Sequence, residues 1–211
     1  MKVRASLVVF LGALLIAGTL GMAQEAGRGA RNASMAPCPG GTAAVEIDNE
    51  GVPALEFMVE ASDLILVGTV VNVLPAILSN PNSPKWTETH SLISIREHLH
   101  GLLPPNTNAI LLTQEGGKVG TCAVVVPADP LVKFNEEYVL FLKADRRTSP
   151  PHTPGPPRYA AVGVWNGKAK IVNGKIEFLP RANVNLHKYD KSDESDFIAL
   201  VRRISAIFPK R

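Results

Sequence analysis

Between Ser62 and Leu179 the chain is built from short apolar runs broken by Gly, Pro and Asn, a pattern of strands rather than helices. The longest run is Ser62 to Leu74, where Leu64, Ile65, Leu66, Val67, Val70, Val71 and Val73 make an almost unbroken aliphatic stretch. This predicts a strand covered on both faces or curled into a barrel, and Gly68 within it predicts a bend or bulge. Residues 86–99 alternate instead. Ser91, Ile93 and Ile95 fall on one face; His90, Leu92, Ser94, Arg96 and His98 fall on the other. That is the pattern of an antiparallel strand with one wet face, ended by Gly101 and Pro104-Pro105. Further strands are expected at 108–113, 122–126, 137–143, 159–165, 168–172 and 175–179. Asn-Gly pairs at 166–167 and 173–174 predict tight hairpin turns.

Helical spacing is confined to the two ends. Leu55, Met58 and Val59, following Pro53, predict a short helix over 53–61. Phe197, Leu200, Val201 and Ile204 line one stripe of a helix over 193–207, with Asp190 to Asp193 offering caps. Residues 75–87 and the proline-rich 144–158 predict loops. The expected fold is mainly β: a small antiparallel barrel or a sandwich, with a short N-terminal and a longer C-terminal helix.

The N-terminal segment changes the setting. Lys2 and Arg4 precede an uncharged stretch from Ala5 to Leu20, then Gly21-Met22-Ala23. This is the pattern of a secretory signal cleaved after Ala23, and its apolar run is shorter than the ~20 residues a spanning helix needs. Residues 24–44, rich in Gly, Ala, Arg, Ser and Pro, read as a flexible leader, and 45–211 as one domain. Loss of Lys2 and Arg4 would leave 20 cations against 19 anions. A near-neutral domain lacks the basic stripe that nucleic acid demands. The expected product is secreted or periplasmic and does not span the membrane. In that compartment Cys38 and Cys122 are expected to pair, contributing about 4–5 kcal/mol on the chain-entropy account.

Several phrases occur together: Ala61-Ser62-Asp63-Leu64-Ile65-Leu66-Val67-Gly68-Thr69-Val70, Leu99-His100-Gly101, Gly116-Gly117, and Phe134-Asn135-Glu136-Glu137-Tyr138-Val139-Leu140-Phe141-Leu142. Their order resembles a group of exported, mostly bacterial proteins of unknown function. That group in turn is similar to the OB-type barrel of netrin modules and tissue inhibitors of metalloproteinases. The resemblance covers roughly residues 53–180 and implies an OB-like barrel. Other members often carry Lys where this chain has His100, which implies an exposed position. In the inhibitors an N-terminal cysteine chelates the target's zinc; here cleavage would leave Gln24 first, with Cys38 well inside the chain.

Candidate chemistry is sparse. His90, His98 and His100 share strand parity and could present imidazoles on one face, but no third ligand stands at a metal-site spacing. Gly116-Gly117-Lys118-Val119-Gly120 lacks the spacing and following helix of a phosphate loop and reads as a turn. Glu136 and Glu137 are adjacent on a strand and so face opposite sides. No nucleophile-elbow motif surrounds a serine, and Cys122 is expected to be structural. Trp86, Trp165, Tyr138 and Tyr159 could stack bases or sugars, or fill a core. No cofactor, metal or catalytic residue is assigned. The expectation is an exported, non-enzymatic binding module that meets a protein or small ligand through loops 75–87 and 144–158. The alternatives are a netrin-like protease inhibitor, or a metal-dependent hydrolase using His90, His98 or His100.

Overall fold

The structure, a computed structural model, describes residues 42–44 (backbone only), 54–78, 87–145 and 155–210. The signal segment, most of the leader, Cys38, Pro53 and Trp86 lie outside them.

Strand β1 (Thr42–Ala44) precedes helix α1 (Leu55–Ala61), which begins one residue past Ala54. Ahead lie β2 (Leu64–Val73), β3 (Ile77–Leu78) and the long β4 (Thr87–Gly101). Then come β5 (Ala109–Glu115), β6 (Gly117–Val119), β7 (Cys122–Val125), β8 (Glu137–Ala144) and β9 (Arg158–Ala161). The chain ends with β10 (Lys168–Val172), β11 (Lys175–Phe178), α2 (Val184–His187) and α3 (Glu194–Ser205). The ordered chain thus reaches back into the stretch whose composition suggested a leader, because Thr42–Ala44 pairs in parallel with β7.

Strands β2, β4, β5, β9 and β8 pair in that order, and β8 pairs again with β2. The ring is closed, so the fold is the small OB-like barrel and not a sandwich. One pair departs from the antiparallel expectation: β5 and β9 run parallel. The far edge of β8 is divided, its first half taken by β10 and its last residues by β9. The β10–β11 hairpin therefore extends the sheet beyond the ring. A separate small sheet orders β1-β7-β6.

The continuous apolar run of β2 is explained by two cores. Leu64, Leu66 and Val70 face the barrel interior with Ile93, Ile110, Leu112 and Leu140. Ile65 and Val67 face outward into a second core with α1, α3 and the β10–β11 hairpin. Gly68 marks a register shift, as expected, and a Cβ there would lie 2.5 Å from Ile93 Cγ2 and 2.8 Å from Ser94 O. In β4 the expected wet face is present only in the second half; Thr87 to Ser91 are buried on both faces. Helix α3 follows the apolar stripe, burying Phe197, Ile198, Val201 and Ile204, with Leu200 at its margin. Asp193 occupies its N-cap position, but the carboxylate makes no cap bond and meets Lys175 instead, at 2.7 Å.

Candidate functional site

The connection from β7 to β8, residues 126–136, carries prolines and polar side chains and reads locally as nothing more than a break between strands. In the fold it is tied down from three sides. Val132, almost fully buried, plugs the barrel interior. Gln114 of β5 grips the backbone on both sides of Leu131: its Nε2 donates to Pro130 O at 3.2 Å, and its Oε1 accepts from Val132 N at 3.0 Å. From β10, Lys168 is only 1% exposed; its Nζ pairs with Asp129 and also donates to Pro130 O at 3.2 Å. Two residues on along β10, Lys170 Nζ reaches Glu136 Oε1 at 2.7 Å, while Glu136 Oε2 accepts from Tyr138 OH at 2.5 Å and Lys133 N at 2.9 Å. Asn135, in the left-handed region at φ 66°, turns the chain so that its N–H donates to Val70 O at 2.8 Å.

Register explains why these groups meet. Lys168 and Lys170 are the cross-strand partners of Leu140 and Tyr138, so they point to the side of the sheet that forms the barrel interior. Ala169 and Ile171, between and beyond them, point to the helical layer. Burial lowers the pKa of Lys168, and the adjacent Asp129 carboxylate opposes that shift. For Glu136, burial favours the neutral form, but hydrogen bonds from Lys170, Tyr138 and the Lys133 N–H outweigh it and hold the carboxyl below its ordinary range. Burial, then the Glu136 carboxylate, pushes the Tyr138 phenol far above its usual value.

This fixed connection forms one wall of a recess of about 750 Å³, whose other wall is the β6–β7 hairpin. Val73, Val124, Val125, Leu131 and Phe134 give it apolar sides. Phe134 is 70% exposed, and Val125 is exposed to 46%. Lys118, Lys133 and Glu115 stand among its polar lining residues. The hairpin is set against the barrel by Gly116 and Gly117, at φ 109° and 128°. A Cβ on Gly117 would lie 2.4 Å from Thr89 Oγ1 and 2.5 Å from Ala76 Cβ, so glycine is required for the chain to pass from β5 into the small sheet. The glycine-rich stretch is therefore not the single turn that its spacing predicts: Gly117–Val119 forms strand β6, and the turn is confined to Gly120 and Thr121.

The histidines do not assemble. A register shift between Ile65 and Leu66 on β2 lies opposite His100 and His98, breaking the parity expected of residues two apart. His98 is exposed and its Nε2 lies 2.9 Å from His100 O. His100 is only 6% exposed, contrary to the exposed position expected of it, and its Nε2 has no hydrogen-bond partner among the described residues. His90 sits far along β4, opposite Thr113 and 3.7 Å from Glu88. Among the described residues no three His, Cys, Asp or Glu side chains converge as metal ligands. Trp165, Tyr138 and Tyr159 are core residues rather than a stacking platform. Glu136 and Glu137 serve separate partners, Glu137 meeting Arg96 at 2.8 Å. Cys122 is a half-buried free thiol, and the expected partner Cys38 lies outside the described residues.

Of the expected contact loops, 75–87 contains strand β3, paired with the start of β4. Residues 79–86 and 146–154 lie outside the described residues. No described helix is long and apolar enough to cross a membrane. No sequence pattern marks the recess; the nearest signal is an aromatic, Phe134, beside Asn135 and outside the strand expected at 137–143. No protein-family model matches this chain, and no curated protein sequence matches it either.

Proposed function

We propose that this chain is an exported, non-enzymatic binding module that takes its ligand in the recess between the β6–β7 hairpin and the 126–136 connection. The supporting observation is the combination of an open apolar recess with a wall held rigid by buried polar ties. An exposed aromatic on an immobilised segment loses little conformational freedom on contact, which is the economy of a preformed site. Export rests on the N-terminal pattern of Lys2, Arg4 and the apolar stretch to Leu20.

The neutral apolar dye Nile red tests this directly. It should bind the folded protein at one site, and Val125→Glu, which places a charge on an exposed wall position, should abolish the fluorescence gain without lowering the melting temperature. Equal dye binding by the variant would remove the recess from consideration.

A further inference from the structure

We infer that the occupant of this recess is a single-chain amphiphile with an anionic head, of the long-chain monocarboxylate class; this rests on the binding reading just given. Three observations converge on it. First, the recess has apolar side-chain walls and a volume near 750 Å³, inside the ~300–1,000 Å³ range of small-ligand sites. Second, β7, whose Ala123, Val124 and Val125 all line it, is hydrogen-bonded on both sides, by β1 and by β6. That strand has no free edge for an extended peptide to pair with, so the recess offers side chains to an alkyl chain rather than a ladder to a backbone.

The third observation is charge. Lys118 and Lys133 are exposed lining residues, and neither ammonium has an ion-pair partner among the described residues. The nearby carboxylates that could neutralise them are already committed, Asp129 to Lys168 and Glu136 to Lys170. Among the described residues Glu115 is the only lining carboxylate. Two uncommitted cations against one anion favour a ligand that carries negative charge at the end of its apolar body.

Palmitate, kept below its micelle concentration and measured by displacement of a fluorescent fatty acid, is the probe, with hexadecanol as its neutral counterpart. Palmitate should bind one-to-one and more tightly than hexadecanol. The double variant Lys118→Gln/Lys133→Gln, changing only exposed side chains, should weaken palmitate about tenfold and leave hexadecanol unchanged. Equal affinity of both probes, or indifference to the lysines, would overturn the anionic-head inference while leaving the recess a binding site. A lysophosphatidate or an acid-ended apolar peptide binding in preference to palmitate would likewise replace this ligand class with another. Failure of palmitate, hexadecanol and Nile red alike would remove both readings.

Discussion

Two segments are fastened to the barrel by charged side chains, and they are fastened in opposite ways. Helix α3 carries Arg202 paired with Glu97 and Glu194 paired with Arg96, all on the solvent side. Beneath those pairs lies a continuous apolar stripe, with Phe197 packed edge-on against Phe178 and Tyr189 at centroid distances of 6.0 and 5.7 Å. The 126–136 connection has no such stripe; apart from Ala128, Val126 and the Val132 plug, its attachment is polar and buried. Apolar packing holds the helix and makes its ion pairs nearly dispensable. Polar anchoring holds the connection and leaves Leu131 and Phe134 available for something else.

That contrast can be broken at either end. The largest effect belongs to the buried pair. Asp129→Ala strands the Lys168 ammonium in the interior and should cost about 3–5 kcal/mol in denaturant unfolding. Replacing both partners, Asp129→Leu with Lys168→Met, should recover most of that loss, because an apolar pair of similar volume avoids the cost of burying charge. If the double variant stays as unstable as the single, the pair is not acting through uncompensated charge.

Phe197→Ala should cost a comparable about 3–4 kcal/mol through the cavity it leaves. Arg202→Ala, by contrast, should change stability by less than about 1 kcal/mol, and that small loss should vanish at high salt. A large, salt-resistant loss at Arg202 would mean that the helix is held by its charges after all.

A smaller effect sits at the C-terminal end of β4. Burial first, then the charges of Lys210 and His98, lowers the pKa of His100 below the ordinary imidazole value. The unfolded chain therefore takes up this proton before the folded one does. Stability from His100 is complete above the ordinary value, falls as pH drops through it towards the folded-state value, and levels off below. His100→Gln should flatten the melting temperature between pH 7.5 and 5 relative to the wild type; an unchanged slope would assign the dependence to other groups.

What the sequence revealed depended on whether the cause was local. Asn173-Gly174 makes the expected hairpin between β10 and β11, with both residues at positive φ, 51° and 72°. Asn166-Gly167 looks identical on paper but joins strands that do not pair with each other; both pair with β8. There Asn166 is buried as a tie, its Nδ2 donating to Gly163 O at 3.2 Å and its Oδ1 accepting from Asn183 N at 2.8 Å. Gly167 is needed because a Cβ would lie 2.8 Å from Phe141 O. The expected strand 159–165 ends early for the same reason, giving way to turns over 162–167.

The aliphatic run of β2 and the stripe of α3 were legible because periodicity records burial. The recess was not. Gln114, Asp129 and Lys168 come from separate segments, and neither charge carries a mark that it will be buried. Only the closed barrel, with β10 laid along β8, brings Lys168 under the connection.

The sharpest test is the Phe134→Ala variant, with Nile red affinity and melting temperature measured on the same sample. Phe134 is mostly exposed and its segment is anchored elsewhere, so affinity should fall about tenfold while the melting temperature stays within a degree or two. A lowered melting temperature with undiminished dye binding would show that the ring supports the fold and that ligand is not taken there.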